Sequence, residues 1–165
     1  MRLVRILCVA LGGALLLSAS IAPLRPAAAA DAILTVSAAQ PTAVTVDLDL
    51  AAIERMPHHT IATATPWTTG VSSYEGVLLR DLLRQLGVSG TIIRLTALND
   101  YAITIPTADV DAYDVVLAYS RDGQAMSVRD KGPLWVVYPL DDHPELRNAD
   151  THAKMIWQVR RLDVE

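Results

Sequence analysis

The chain is 165 residues long, carries a formal net charge of −4, is 52% hydrophobic and contains one cysteine. That length fits one domain once a leader is removed. An acidic chain without a basic run is a poor match for nucleic acid or anionic lipid, and a lone cysteine excludes an internal disulfide.

Arg2 and Arg5 precede an apolar run over 6–17, and Ala28-Ala29-Ala30 precede Asp31. This is the charged region, apolar region and cleavage site of an export signal over 1–30. The run is shorter than the roughly 18 to 20 apolar residues of a spanning helix, so no membrane insertion is expected. Arg2 and Arg5 are not adjacent, which argues against a twin-arginine signal and for general secretion to a periplasmic, soluble mature chain, 31–165. Cys8 would leave with the signal, as would Arg2, Arg5 and Arg25. The mature chain is therefore more acidic than the whole. It has no thiol for a metal site or a nucleophile.

The β-branched stretches 32–36 and 43–48 predict strands. Asp49 is placed to cap a short helix over 50–56, ended by Pro57. Residues 58–65 are Thr-rich and expected to be extended, and 66–73 to be a loop. Leu79, Leu82, Leu83 and Leu86 make one apolar stripe, predicting a helix over 78–86 that stops at Gly87. Strands are expected over 91–98 and 102–105, joined at Asn99-Asp100 as a hairpin. Further strands are expected over 114–119, 134–138 and 155–164, with a tight turn at Asp122-Gly123. Many short strands with few helices predict an α+β domain.

Three segments carry a resemblance. The first runs from Tyr74-Glu75-Gly76-Val77-Leu78-Leu79-Arg80-Asp81-Leu82-Leu83 to Gly87. The second is Ala97-Leu98-Asn99-Asp100-Tyr101-Ala102-Ile103-Thr104-Ile105-Pro106. The third joins Leu117-Ala118-Tyr119 and Asp122-Gly123 to Arg129-Asp130-Lys131-Gly132-Pro133-Leu134-Trp135-Val136-Val137-Tyr138-Pro139, with Lys154 and Trp157 beyond. In order and spacing the set resembles the molybdopterin-binding domain of the sulfite oxidase family. More narrowly it is similar to small exported members made of this domain alone, including periplasmic pterin-binding regulators of the PruR type. That resemblance implies a sulfite oxidase-type fold, a reduced pterin as ligand, and a membrane-bound partner that makes or degrades cyclic di-GMP.

One departure is informative. The family's enzymes hold molybdenum through a cysteine in the segment before the Leu-rich helix. Here that segment is Ile61-Ala62-Thr63-Ala64-Thr65-Pro66-Trp67. A threonine hydroxyl is a hard, weakly acidic oxygen and does not replace a soft thiolate. Molybdenum is therefore not expected, nor is a covalent cofactor.

A pterin ring needs a flat face to stack on, an acceptor for its 2-amino edge and a donor for its oxygen. Trp67 is the candidate platform. Asp100, with Asn99 and Tyr101 beside it, is the candidate for the donor edge, although Asn99-Asp100 also serves as turn chemistry. Arg129, Asp130 and Lys131 form a charged loop in which Arg129 and Lys131 offer donors for the oxygen or the side chain and Asp130 an acceptor for the amino edge, or simply a solvated turn with a local ion pair. Adjacent His58 and His59 on a strand point to opposite faces, which argues against a metal site. Asp141, Asp142 and Glu145 lack EF-hand spacing. His143 and His152 are expected on surface loops, and Trp135, Trp157 and Met126 in the core. No catalytic acid–base pair or nucleophile stands out, so the expectation is a binding protein; the alternatives are a molybdopterin-dependent oxidoreductase or a subunit of one, and a periplasmic interaction module without a small ligand.

Overall fold

The computed structural model describes residues 31–39 and 42–165. The expected signal over 1–30, with Cys8, lies outside the described residues. Among the described residues, ten strands form two five-stranded sheets, with four short helices between and beside them. Among the described residues no helix is long and apolar enough to cross a membrane.

The first sheet is built from β1 (Leu34–Ala38), β2 (Val44–Leu48), β5 (Ile92–Ala97), β6 (Ala102–Pro106) and β10 (Val159–Val164), in the order β2-β1-β10-β5-β6. Only the β1–β10 pair in it is parallel. The expected hairpin at Asn99-Asp100 is present, with Ile93 opposite Ile105. The second sheet holds β3 (His59–Ala64), β4 (Val71–Leu78), β7 (Val116–Arg121) and β8 (Gln124–Ala125) in that order, and β9 (Trp135–Val137) also pairs with β7. Because β7 is shared end to end, β9 meets Val116 to Ala118 while β8 meets Ser120 and Arg121.

Asp49 caps α1 (Leu50–Glu54), its carboxylate accepting from the Ala52 N–H at 2.7 Å. The Leu-rich stripe is α2 (Leu79–Leu86), with Leu79, Leu82 and Leu83 buried and Gly87 ending it at φ 65°. That left-handed position suits glycine, which has no Cβ to clash. Tyr74, Trp135 and Tyr138, all from the second sheet or its edge, are fully buried. The Tyr74 and Trp135 rings meet edge to face at 5.3 Å.

Several expectations shift. Part of the expected 66–73 loop is the start of β4, because Val71 to Leu78 finds partners in both β3 and β7. The strand expected over 114–119 begins at Val116, after α3 (Thr107–Ala112). The strand expected over 155–164 begins only at Val159. The chain first completes α4 (Ala149–Lys154), capped by Asn148, and then turns at Gln158 with φ 56°. Each of these two helices has six residues, too few to show an apolar stripe.

Candidate functional site

Trp67 follows β3 directly, in a turn built by threonine hydroxyls. Thr65 Oγ1 accepts from the Trp67 N–H at 3.3 Å and lies 2.8 Å from Thr68 Oγ1. Thr68 Oγ1 is in turn 3.4 Å from the Tyr74 hydroxyl. This network orders the loop and leaves the indole 37% exposed. One part of the ring is therefore left open to solvent.

Other rings pack around that indole. Trp157 lies 5.3 Å away centroid to centroid, His152 6.1 Å and Trp135 6.2 Å, all edge to face. Trp135 is the buried floor, and its Nε1 donates to the Met155 carbonyl at 3.0 Å. The others open onto a mainly apolar pocket of about 280 Å³, lined by Trp67, Trp157, His152, Met155 and Ile156, with Asn99 and Tyr101 from the β5–β6 turn. Asn99 Oδ1 is occupied by the Tyr101 N–H at 3.2 Å, so its amide nitrogen is the group left to donate.

The expected site residues divide. Trp67, Asn99 and Tyr101 share the pocket. Asp100, at φ 65° in the turn, points to solvent and pairs with Arg160. The turn geometry that accounts for an Asn-Asp pair also turns the carboxylate away from its expected place on the donor edge. Asp130 and Lys131 line a second, polar cleft of about 390 Å³ on another side of Trp67, with Thr68, Thr69, Ser72, Arg121 and Asp122. There Asp130 pairs with Arg121 at 2.8 Å. The Lys131 ammonium lies 5.2 Å and 5.6 Å from the Trp157 and Trp135 ring centres, a cation–π arrangement. Arg129 is exposed in the 3₁₀ turn Val128–Asp130 and lines neither cavity.

Two contributors escaped the sequence reading. Trp157, expected in the core, is half-buried and forms a pocket wall; its apolar neighbours Met155 and Ile156 are buried and disguised it. His152, expected on a surface loop, sits on α4 against Trp67. Nothing in the spacing of either residue signals the convergence. The readings of His58 and His59 stand apart from the site: His58 is exposed, and His59 Nε2 lies 3.5 Å from Asp114.

Titration shifts fall mostly elsewhere. Burial first, then the nearby Glu75 carboxylate, pushes the Tyr119 phenol up to about 12. Burial, and then Asp109, pushes Tyr138 well above the ordinary phenol range. Close to Trp67, the Ala64 N–H holds the Asp141 carboxyl below the usual carboxylate range, with Thr63 and Arg147 adding to it against the opposing effect of burial.

The oxidoreductase molybdopterin binding domain family matches residues 31–140, and the chain belongs to that family. Among solved structures it is similar to the sulfane dehydrogenase SoxCD from Paracoccus pantotrophus, at 20% identity and a TM-score of 0.58. The likeness covers 79% of this chain and 37% of that one, and at this identity it is a likeness of fold. No curated protein matches the chain. His152 and Trp157 lie beyond the residues that the family matches, so the pocket is built partly from a C-terminal segment outside them.

Family members bind molybdopterin, and the residues here can be tested for its metal. Where a protein thiolate is needed, the end of β3 offers hydroxyls that are already engaged. Thr63 Oγ1 accepts from the Asp141 N–H at 3.2 Å, and Thr65 Oγ1 is bonded within its turn. The donor set does not fit a molybdenum held by protein sulfur.

Proposed function

We propose that this protein binds a reduced pterin, or a similarly flat heterocycle, without molybdenum. It does so in the periplasm and relays occupancy to a membrane-bound signalling enzyme such as a cyclic di-GMP cyclase or phosphodiesterase. The observation that carries the reading is the exposed Trp67 indole, edge-packed by Trp157 and His152 beside a donor amide on Asn99. Stacking on such a face contributes about 0.5–1.5 kcal/mol beyond the area it buries. Asn99 supplies a donor for the ring oxygen. His152 supplies a ring nitrogen that accepts from the amino edge when neutral, the role assigned from sequence to Asp100. Lys131 and Asp130, in the neighbouring cleft, face whatever substituent extends past Trp67.

Relay follows from differential affinity: the partner must prefer the filled or the empty form. Exposed Leu98, Tyr101 and Val128 are apolar side chains that a partner can read. The test is calorimetry of the purified protein with reduced pterins. Micromolar binding is expected, and no heat at high micromolar concentration with any of them rejects the proposal.

Family membership favours a second reading, a molybdopterin-dependent oxidoreductase or a subunit of one. Metal analysis separates the two. Stoichiometric molybdenum in protein purified from its native host establishes the second reading and ends the first.

A further inference from the structure

We infer that Asp141 is a positioning residue for the pocket: the strap of residues 141–148 fastens Trp67 at one end and His152 at the other, and so sets the gap between them. β3 is an edge strand, so the outward N–H of Ala64 has no strand to meet. The Asp141 carboxylate accepts it, and the Asp141 N–H donates to the buried Thr63 hydroxyl at 3.2 Å. Trp67 comes three residues later. The other carboxylate oxygen of Asp141 pairs with Arg147, whose Nε donates to the Leu140 carbonyl at 2.9 Å.

Arg147 leads straight into α4. Asn148 accepts from the Thr151 N–H at 2.9 Å and donates to the Glu145 carbonyl at 2.8 Å, fixing where the helix starts. His152 follows within the helix, 6.1 Å from the Trp67 ring. Both walls of the pocket thus hang from one clasp. A wall held before binding spares the ligand the cost of ordering it. The lowered Asp141 pKa agrees, since its main cause is the Ala64 N–H bond itself, with Thr63 and Arg147 adding to it. Only the consequence for ligand affinity rests on the pterin reading.

The test is read first without ligand. The protein is produced with 5-fluorotryptophan, and the fluorine lines of its three tryptophans are recorded, the Trp67 line being the one missing from Trp67→Phe. Asp141→Ala is expected to move or split the Trp67 line and leave that of buried Trp135 in place. Asp141→Asn, whose amide oxygen still accepts from Ala64, is expected to fall between that variant and the parent. Arg147→Met tests the other arm and is expected to move the same line. A Trp67 line unmoved in both Asp141→Ala and Arg147→Met overturns the inference. So do three lines moving together, the mark of a general loss of packing. Should Asp141→Ala not fold, Arg147→Met decides by the same two criteria. With a reduced pterin added, Asp141→Ala is expected to raise the dissociation constant about tenfold. If no pterin binds even the parent protein, the ligand reading fails and the fluorine lines still judge the clasp.

Discussion

Trp67 borders two cavities of opposite character. On one side the walls are Trp157, His152, Met155 and Ile156, and the space is mainly apolar. On the other they are Thr68, Thr69, Ser72, Arg121, Asp122, Asp130 and Lys131. The first suits a flat ring that gains from leaving water. The second holds its charges in near balance, with Arg121 on Asp130 and Lys131 on two indoles, so it suits polar contact with water retained. The contrast teaches that a charged motif and an aromatic site can be neighbours in space while doing different work. The sequence reading spreads one ligand across both.

The largest expected effect breaks the cleft and leaves the pocket. A Cβ on Gly132 would meet the Met126 carbonyl oxygen at 1.9 Å, and Lys131 precedes that glycine. Gly132→Ala is expected to cost about 3 kcal/mol in urea unfolding, at the upper end of overpacking penalties. An unchanged midpoint would show that the Lys131 loop relaxes freely. Next comes the pocket itself. Trp67→Ala is expected to weaken reduced-pterin binding about ten- to a hundredfold, the worth of one stacked aromatic face, and to leave the fold intact. Pterin fluorescence quenched as well by the variant as by the parent would move the ligand elsewhere.

Two smaller substitutions sharpen the contrast. Lys131→Met keeps the apolar stem and removes the cation above Trp157 and Trp135. A loss of about 0.5–1 kcal/mol in stability is expected, since a cation–π contact at a half-exposed site contributes about that much. Pterin affinity should change less than in Trp67→Ala; an equal loss would make cleft and pocket one site. Asp100→Ala is expected to leave affinity unchanged, because its carboxylate is spent on an exposed pair with Arg160. A clear drop in affinity on titration would return Asp100 to the ligand.

What the sequence reveals and hides follows from the range of the interactions. The α2 stripe and the β5–β6 hairpin are local patterns, and both are present. The family segments are ordered along the chain, and the family matches. The partial exposure of Trp67 was legible because an aromatic between Pro66 and a Thr-Thr-Gly loop has little core to enter. The place of His152 and Trp157 beside Trp67 was hidden because it comes from α4 and the Gln158 turn folding back, contacts between residues some ninety positions apart in sequence. The direction of Asp100 was hidden for a related reason: composition identified the turn, but only the pair with Arg160, sixty positions away, shows where the carboxylate lies.

The position of β10 has a consequence for how the molecule comes into being. It lies in the middle of the first sheet, parallel to β1 and antiparallel to β5, so β1 and β2 cannot join β5 and β6 until it is in place. A nascent chain growing from its N-terminus therefore carries two unjoined half-sheets until the closing strand emerges. Completion of the first sheet therefore waits for β10, and a truncation before Val159 is expected to yield aggregates rather than a smaller working protein.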